Sequence, residues 1–485
     1  MPAMFLRAGV LSLALLLASR LAGLVRESAQ AAAFGASGTG DVAVLMLTLP
    51  DWISSVLAGG ALAYVLLPAW AHEDAGRVAA TQKRVARMLL LLGTLLALAL
   101  VLAREPAVRW LAGGLPVDLQ AQAARAIAWS AVALPLALLA GLGVTRLQHE
   151  RDFAGLYSAN LVVNGVLIVT LATVAWLAPA SVTWVLGAGL LLAMLARLAW
   201  LHHRQRPFRR VPTLADSNAL PAPPAWIWAA AAVGLPLALP FVARSLASGQ
   251  GEGALATFNY AWKLVELPLL LAVQLVGTLA LGPISQALRC GTAGEQEAAP
   301  MRRGFALAWT LACASVAGLL FAAPAVAQLL FGWGRMQPEA LAHLGEWGRI
   351  GSWSLLPQAL ITIALAVLAA QGRMRVAVFG YAIALAALLL SGQQDGRVLM
   401  LWLDVLLALV ALLVLWALGP ALRRWMPWRA LAAAGGVLLV LQVVTLAAGI
   451  PASTPLQWSS GILAAAAVFG AAWLASADLR QSLAR

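Results

Sequence analysis

Residues 405–418 read VLLALVALLVLWAL, and residues 168–178 read IVTLATVAWLA; neither run contains a charge. Such runs recur from end to end, and about 20 mostly apolar residues let an α-helix cross a hydrocarbon core of about 30 Å. The composition agrees. Hydrophobic residues make up 62% of the 485 and charged residues 11%, with a mean hydropathy of +0.88. A soluble domain needs far more charge on its surface. A soluble enzyme, a secreted disulfide scaffold and a nucleic-acid-binding domain are therefore excluded. In a bilayer protein the formal net charge of +13 reads as topology and attraction to lipid phosphate.

The fold class expected is all-α polytopic membrane protein. Fourteen spans are predicted near 8–33, 41–71, 88–103, 121–145, 154–178, 181–201, 225–243, 255–287, 304–328, 341–371, 376–392, 398–418, 430–449 and 457–476. Arg7 and the run after it imitate a signal peptide, but Ser19-Arg20 stands where small residues and cleavage belong. The segment therefore reads as a retained first helix. Of the 32 Lys and Arg residues, 22 fall in loops assigned to the cytoplasm, Arg197 among them, and 7 on the opposite side. Arg20, Arg26 and Lys263 fall inside the membrane. This asymmetry predicts an even number of helices with both termini in the cytoplasm.

The longest hydrophilic stretch, 202–224, is basic and then proline-rich, and the segments on either side of it resemble each other. Leu49-Pro50 and Leu267-Pro268 lie 218 positions apart, and Gly60-Ala61-Leu62-Ala63 and Gly277-Thr278-Leu279-Ala280 lie 217 apart. Pro135 precedes Arg151 by 16 residues, as Pro357 precedes Arg373. Six helices per unit make the repeat parallel, an architecture of transporters with a substrate site between lobes. The expected domains are an N-lobe over 1–203, a cytoplasmic linker over 204–224, a C-lobe over 225–418, and a C-terminal helix pair over 419–485.

Charges at bilayer depth cost about 2.5–3.5 kcal/mol each on insertion scales, so each needs a reason. Arg20 lies roughly 18 Å along the first helix, and six residues at 100° set Arg26 about 120° around from it. Glu27 follows Arg26. Asp41 begins helix two and Asp51 lies further along it. Helix eight carries Lys263 and Glu266, three apart and hence on one face. Helix twelve carries Asp404. The structural alternative is internal pairing, Arg26 with Asp41 and Lys263 with Glu266. Two arginines and a lysine suit an anionic head group, since guanidinium grips phosphate in bidentate fashion. A drug-cation exporter needs the opposite sign.

Other features point away from catalysis. Cys290 and Cys313 show no CxxC spacing, and the five histidines sit in or beside loops, so neither a disulfide framework nor a metal centre is expected. There is no HExxH, nucleophile elbow, Walker loop or tight DxxD cluster. Tryptophans near helix ends, such as Trp425, Trp428 and Trp458, read as an interfacial belt. Gly59-Gly60 and Gly141-Leu142-Gly143 read as close helix approaches.

Ser19-Arg20-Leu21-Ala22-Gly23-Leu24-Val25-Arg26-Glu27 resembles the S-R-x-x-G-x-x-R-[DE] of the MurJ (MviN) lipid II flippases, in the multidrug/oligosaccharidyl-lipid/polysaccharide exporter (MOP) superfamily. Phe34-Gly35-Ala36, Asp41, Leu49-Pro50, Gly60 and Pro68 keep that family's register. Tyr260-Ala261-Trp262-Lys263-Leu264-Val265-Glu266-Leu267-Pro268 resembles Y-A-x-R-[LI]-x-x-[FL]-P, with Lys263 for arginine, and Leu330-Phe331-Gly332 and Gly372-Arg373 resemble two further turns. The resemblance implies two six-helix lobes around a cationic cavity. It makes Arg20, Arg26 and Asp41 cavity residues, with Lys263 standing in for another, and the last two helices a groove for a polyprenyl tail. The chain departs from the family at Ser54-Ser55, where helix two commonly carries two arginines, and at Gly59, where a glutamate is usual. A sodium site found in some members has no evident match beyond Asp404.

The function expected is flipping of an undecaprenyl-pyrophosphate-linked glycan, lipid II first, from the cytoplasmic to the periplasmic leaflet of the bacterial inner membrane. Arg20, Arg26, Asp41, Lys263, Glu266 and Glu27 are the expected binding residues, followed by Ser54, Ser55, Asp51 and Asp404. No cofactor or metal is expected. The partners are the lipid-linked glycan and membrane lipids, without nucleic acid, and the protein is expected to be a monomer. The alternatives are a flippase for an O-antigen or exopolysaccharide repeat unit and, from another class, a membrane glycosyltransferase.

Overall fold

The computed structural model describes residues 2–177, 181–210, 222–289 and 295–483; the side chains of residues 2–13, 54, 57–59, 209–210, 295–297 and 483 fall outside it. Residues 211–221 of the expected linker, Cys290 and the Ser54 side chain therefore lie outside the described residues. Every regular element among the described residues is helical. Two compact units emerge. One comprises Met1–Ala238, Ser248–Ala256 and Trp333–Met336, and the other Leu239–Ala247, Thr257–Gly332 and Gln337–Arg485.

The first unit opens with α1 (Pro2–Phe34) and α2 (Gly38–Ser54), continued through a π-helical segment, Ser55–Ala61, into α3 (Leu62–Trp70). It continues with α4 (Ala75–Leu102), α5 (Arg104–Leu111), α6 (Val117–His149), α7 (Phe153–Leu177), α8 (Val182–Gln205) and most of α9 (Pro223–Ala247). The crossover between units falls inside α9. Helix α6 is the hub, packing against α2, α4 and α8, while α1 packs along α7. Helix α4 begins thirteen residues before the expected span at 88. Its first turns carry Arg77, Lys83, Arg84 and Arg87, and an apolar-run criterion cannot see a helix that continues out of the bilayer.

Local chemistry explains the break in helix two. Pro50 has no N–H to give to the carbonyl four residues earlier, which belongs to Met46. The Ser130 hydroxyl of α6 donates to that Met46 oxygen instead, at 2.7 Å, and also lies 3.0 Å from the Ala126 oxygen. Five residues after Pro50 the ladder loosens into the π segment, a form that concentrates at functional positions.

The α1–α2 corner rests on two glycines and one aspartate. Gly35 has φ +65° and Gly334 φ +65°, a region that favours glycine, and a Cβ on Gly35 would meet the Arg335 carbonyl. The Arg335 N–H donates to the Ala32 oxygen at 3.0 Å, tying Trp333–Met336 to the end of α1. Ser37 caps α2, its hydroxyl accepting from the Gly40 N–H.

The second unit holds α10 (Ala254–Pro268) beyond its first turn, a π segment at Leu269–Val273, α11 (Gln274–Arg289), α12 (Glu295–Phe331), α13 (Pro338–Gly351) and α14 (Leu355–Ala370). Next come α15 (Arg375–Ser391), α16 (Gly396–Ala417), the short α17 (Leu422–Trp425), α18 (Trp428–Ala448), α19 (Thr454–Ala475) and α20 (Ala477–Leu483). Here α12 is the hub, packing against α11, α13, α14, α18 and α19. A Cβ added to Gly461 of α19 would lie 2.8 Å from the Ala322 Cβ and 2.9 Å from the Gly318 oxygen of α12, the close backbone approach that small residues permit in membranes. Cys313 is buried in α12 with a free thiol. Both π segments follow the prolines of the internal repeat, Pro50 and Pro268.

Eleven helical segments among the described residues are long and apolar enough to cross a membrane. The other three expected spans are α1, which carries Arg20, Arg26 and Glu27; α2–α3, divided by its π segment; and α15, only 17 residues long. Length and composition therefore support a multi-pass membrane protein without fixing its helix count at fourteen.

Candidate functional site

In the first unit, the turn-by-turn geometry of α1 puts Arg26 and Glu27 side by side, and α2 brings Asp51 to them. The Arg26 guanidinium donates from Nη2 to Glu27 Oε1 at 2.8 Å and from Nη1 to Asp51 Oδ2 at 3.1 Å. The exposures decide their roles: the Arg26 side chain is 11% exposed, Glu27 3% and Asp51 40%. Glu27 is a buried permanent counter-charge, whereas Asp51 borders open space. Arg20 is exposed on the same helix, and Ser55 is exposed at the start of the π segment.

Asp41 goes elsewhere. The expected internal pair with Arg26 does not form. The Asp41 side chain, 1% exposed, accepts from the Gly253 N–H at 2.8 Å and the Ala256 N–H at 2.7 Å. A carboxylate there satisfies otherwise orphan donors at the start of α10 and complements its dipole. Glu252 makes the neighbouring tie, accepting from the Gly38 N–H at 2.9 Å. The Phe34-Gly35-Ala36 … Asp41 pattern thus builds a corner in this protein.

Loop counting misplaces several cations: Arg146 in α6 and Arg244 in α9 are buried within helices. Arg197, counted above with the cytoplasmic loop cations although the expected span 181–201 contains it, sits inside α8, where its Nη2 donates to Asn160 Oδ1 of α7 at 3.1 Å. The residue as a whole is half-buried, its Nε is fully buried without a hydrogen-bond partner, and the Asp51 carboxylate attracts its charge. The signal was available: Leu198, Ala199, Trp200 and Leu201 follow it, so the apolar run does not end at Arg197.

In the second unit Lys263 and Glu266 meet as the i, i+3 spacing predicts, Nζ to Oε2 at 2.7 Å, with side chains 25% and 31% exposed. Asp404 of α16 faces the Ser354 backbone N–H, while its Oδ1 is buried without a hydrogen-bond partner. Tyr260 stacks on Phe331 with centroids 5.2 Å apart. Among the described residues no group of three or more His, Cys, Asp or Glu side chains could hold a metal ion.

At the cytoplasmic ends assigned above, charges do structural work. The Asp152 carboxylate, which also takes the Gly155 N–H at 3.0 Å, binds Arg204 through Nε at 2.9 Å and Nη2 at 2.7 Å. Burial works against the charged form of Asp152, but Arg204 and the Gly155 N–H outweigh it and hold the carboxyl below its ordinary range.

Chemically, the first unit offers the guanidinium groups of Arg26 and Arg197 with the carboxylates of Glu27 and Asp51, and the exposed Arg20 adds a third cation, a balance that favours an anion over a cation. The fold has known relatives. A solved structure of "Lipid II flippase MurJ, inward closed conformation" superposes with a TM-score of 0.77 at 14% identity, covering 96% of this chain and 99% of that one. An inward-facing multidrug resistance MATE family transporter of the MOP superfamily gives a TM-score of 0.66 at 15% identity, covering 86% and 99%. At such identities these likenesses speak for the fold alone. A "Probable lipid II flippase MurJ" of Rhizobium meliloti (strain 1021) is 26% identical over 351 residues, 68% of this chain. The match spans 64% of that relative's length. The family model described as "Lipid II flippase MurJ" matches residues 30–469, nearly the whole chain. This chain therefore belongs to the MurJ family, a family of lipid II flippases and not of enzymes.

Proposed function

We propose that the protein flips an undecaprenyl-pyrophosphate-linked glycan, lipid II, from the cytoplasmic to the periplasmic leaflet by alternating access, with Arg20, Arg26 and Lys263 engaging the diphosphate. The observation that carries this reading is the Arg26–Glu27–Asp51 cluster of α1 and α2, at bilayer depth in this reading, in a chain of this family. Charges there are expensive and mark transport pathways more often than cores. With Arg20 on the same helix and Arg197 on α8, three guanidinium groups of the first unit stand against the two carboxylates, a balance that suits a diphosphate. The family supports the inner membrane, and the bias of loop charges supports both termini in the cytoplasm. Helices α18 and α19 suit the polyprenyl tail, since Leu439, Val440, Val443, Ile462 and Leu463 leave an apolar exposed surface. Neither the family model nor the curated relative speaks for an O-antigen or exopolysaccharide unit.

The test is complementation of a bacterium depleted of its own lipid II flippase, with Arg26→Ala and Lys263→Ala alongside the wild type. Rescue by the wild type and loss of rescue by variants inserted at wild-type levels is expected. Rescue by every variant would make these charges structural, and failure of a well-expressed wild type would refute lipid II as the substrate.

A further inference from the structure

Arg197 stands roughly 22 Å along α8 from Val182 and roughly 12 Å before Gln205, at 1.5 Å per residue. It is a guanidinium at bilayer depth whose one side-chain hydrogen bond goes to a neutral amide, Asn160. Neither neighbour neutralises it outright. Asn160 carries no charge, and Asp51, whose field reaches Arg197, is already hydrogen-bonded by Arg26. The Nε of Arg26 and the Nε of Arg197 are both buried without a partner. A buried donor left unmade costs about 1–3 kcal/mol, more on a charged group. Two such donors stand on α1 and α8; the Asp51 carboxylate bonds one of the two cations, and α2, which carries it, packs against α8.

The two carboxylates of the cluster are not equivalent. Glu27 is 3% exposed and sealed against Arg26, whereas Asp51 is 40% exposed and can rotate away without uncovering a buried charge. A diphosphate presents several anionic oxygens in a fork-matching geometry, against the two of a carboxylate.

We propose that Arg197 is a further anion-binding residue of the first unit, and that Asp51 is an internal stand-in, its carboxylate held by Arg26 where a diphosphate binds and leaving when the substrate arrives. This rests on the reading that the substrate is a lipid-linked diphosphate. It also explains how a chain with Ser54-Ser55 in helix two keeps a second strong cation in the first unit: the charge comes from α8. Substrate entry exchanges one carboxylate for a diphosphate, so the cluster keeps its counter-charge throughout.

The experiment measures binding of farnesyl diphosphate to the full chain in nanodiscs. Farnesyl monophosphate and inorganic pyrophosphate serve as separate arms, across a salt series. Arg197→Gln is expected to raise the dissociation constant for farnesyl diphosphate about tenfold and to flatten its salt dependence, and Arg197→Lys to recover part of the loss. Asp51→Asn is expected to tighten binding severalfold, a gain that misfolding cannot produce. Farnesyl monophosphate should lose less on Arg197→Gln than the diphosphate does. Inorganic pyrophosphate should follow the same order of variants, more weakly; indifference of pyrophosphate to both substitutions would assign the effect to the lipid tail and overturn the proposal. Wild-type binding by Arg197→Gln while Arg26→Gln is weakened would remove Arg197 from the site. Weakened or unchanged binding by Asp51→Asn would remove the stand-in. Indifference to Arg26→Gln, Lys263→Gln and Arg197→Gln together would instead refute the diphosphate reading itself.

Discussion

Ser130 offers a test of how helix two is held. Its hydroxyl, 2% exposed, donates to the Met46 oxygen at 2.7 Å, and that oxygen needs a donor because Pro50 cannot supply one. In Ser130→Ala the carbonyl is left in an apolar helix contact with nothing to bond. Membrane side-chain hydrogen bonds average about 0.6 kcal/mol and reach about 1.7, while an orphaned buried acceptor costs about 1–3 kcal/mol. The orphan is the consequence here, so a loss of about 1–2 kcal/mol is expected, seen as a fall of several degrees in Tm of the detergent-solubilised protein. The decisive step is the double-mutant cycle. Pro50→Ala restores an N–H to Met46, so in that background Ser130→Ala should cost under about 0.5 kcal/mol, the remaining loss being the longer bond to Ala126. Equal penalties with and without Pro50 would refute the reasoning, since independent sites add.

Two further outcomes follow from the same geometry. Asp41→Ala strips a buried carboxylate from the Gly253 and Ala256 N–H groups and should cost at least about 2 kcal/mol by charge-assisted bonds of about 1.5–3 each. Asp41→Asn keeps an acceptor and should recover part of the Tm, so an Asn variant that is stable yet fails to complement would assign Asp41 to transport as well. Asp152 sets an acid dependence. Its carboxyl is depressed in the folded protein, so its stabilisation is complete above the ordinary carboxylate pKa and is lost as pH falls through the folded value. The Tm should therefore drop more steeply on acidification in the wild type than in Asp152→Asn, and parallel curves would contradict the Arg204 pairing.

Much of the architecture is one-dimensional information. An uncharged run long enough to span a bilayer declares a membrane helix whatever its neighbours do, because no water is there to satisfy an unpaired backbone. The Lys263–Glu266 pair was legible for a related reason: three residues on one helix share a face by geometry. The proline-centred repeat was readable too, and both its helices carry π segments after the proline. Helix ends were less legible. α4 and α12 run on past their apolar cores, and α5 and α20 have no apolar run long enough to mark them.

Partners across helices belong to the tertiary structure. The sequence placed Arg26, Asp41 and Asp51 on two adjacent helices and paired Arg26 with the wrong aspartate, Asp41; the packing of α1 on α2 brings Asp51 to Arg26 and turns Asp41 towards the start of α10. Arg197 was counted as a loop cation because charge near a helix end reads as topology, although the expected span contains it; the packing of α7 and α8 supplies what the sequence could not, its partner Asn160. Hydropathy and helical period determine which residues enter the bilayer and which face of their own helix they occupy. The rotation and depth of one helix against another come from interlocking side chains on several elements, and those decide which charges meet.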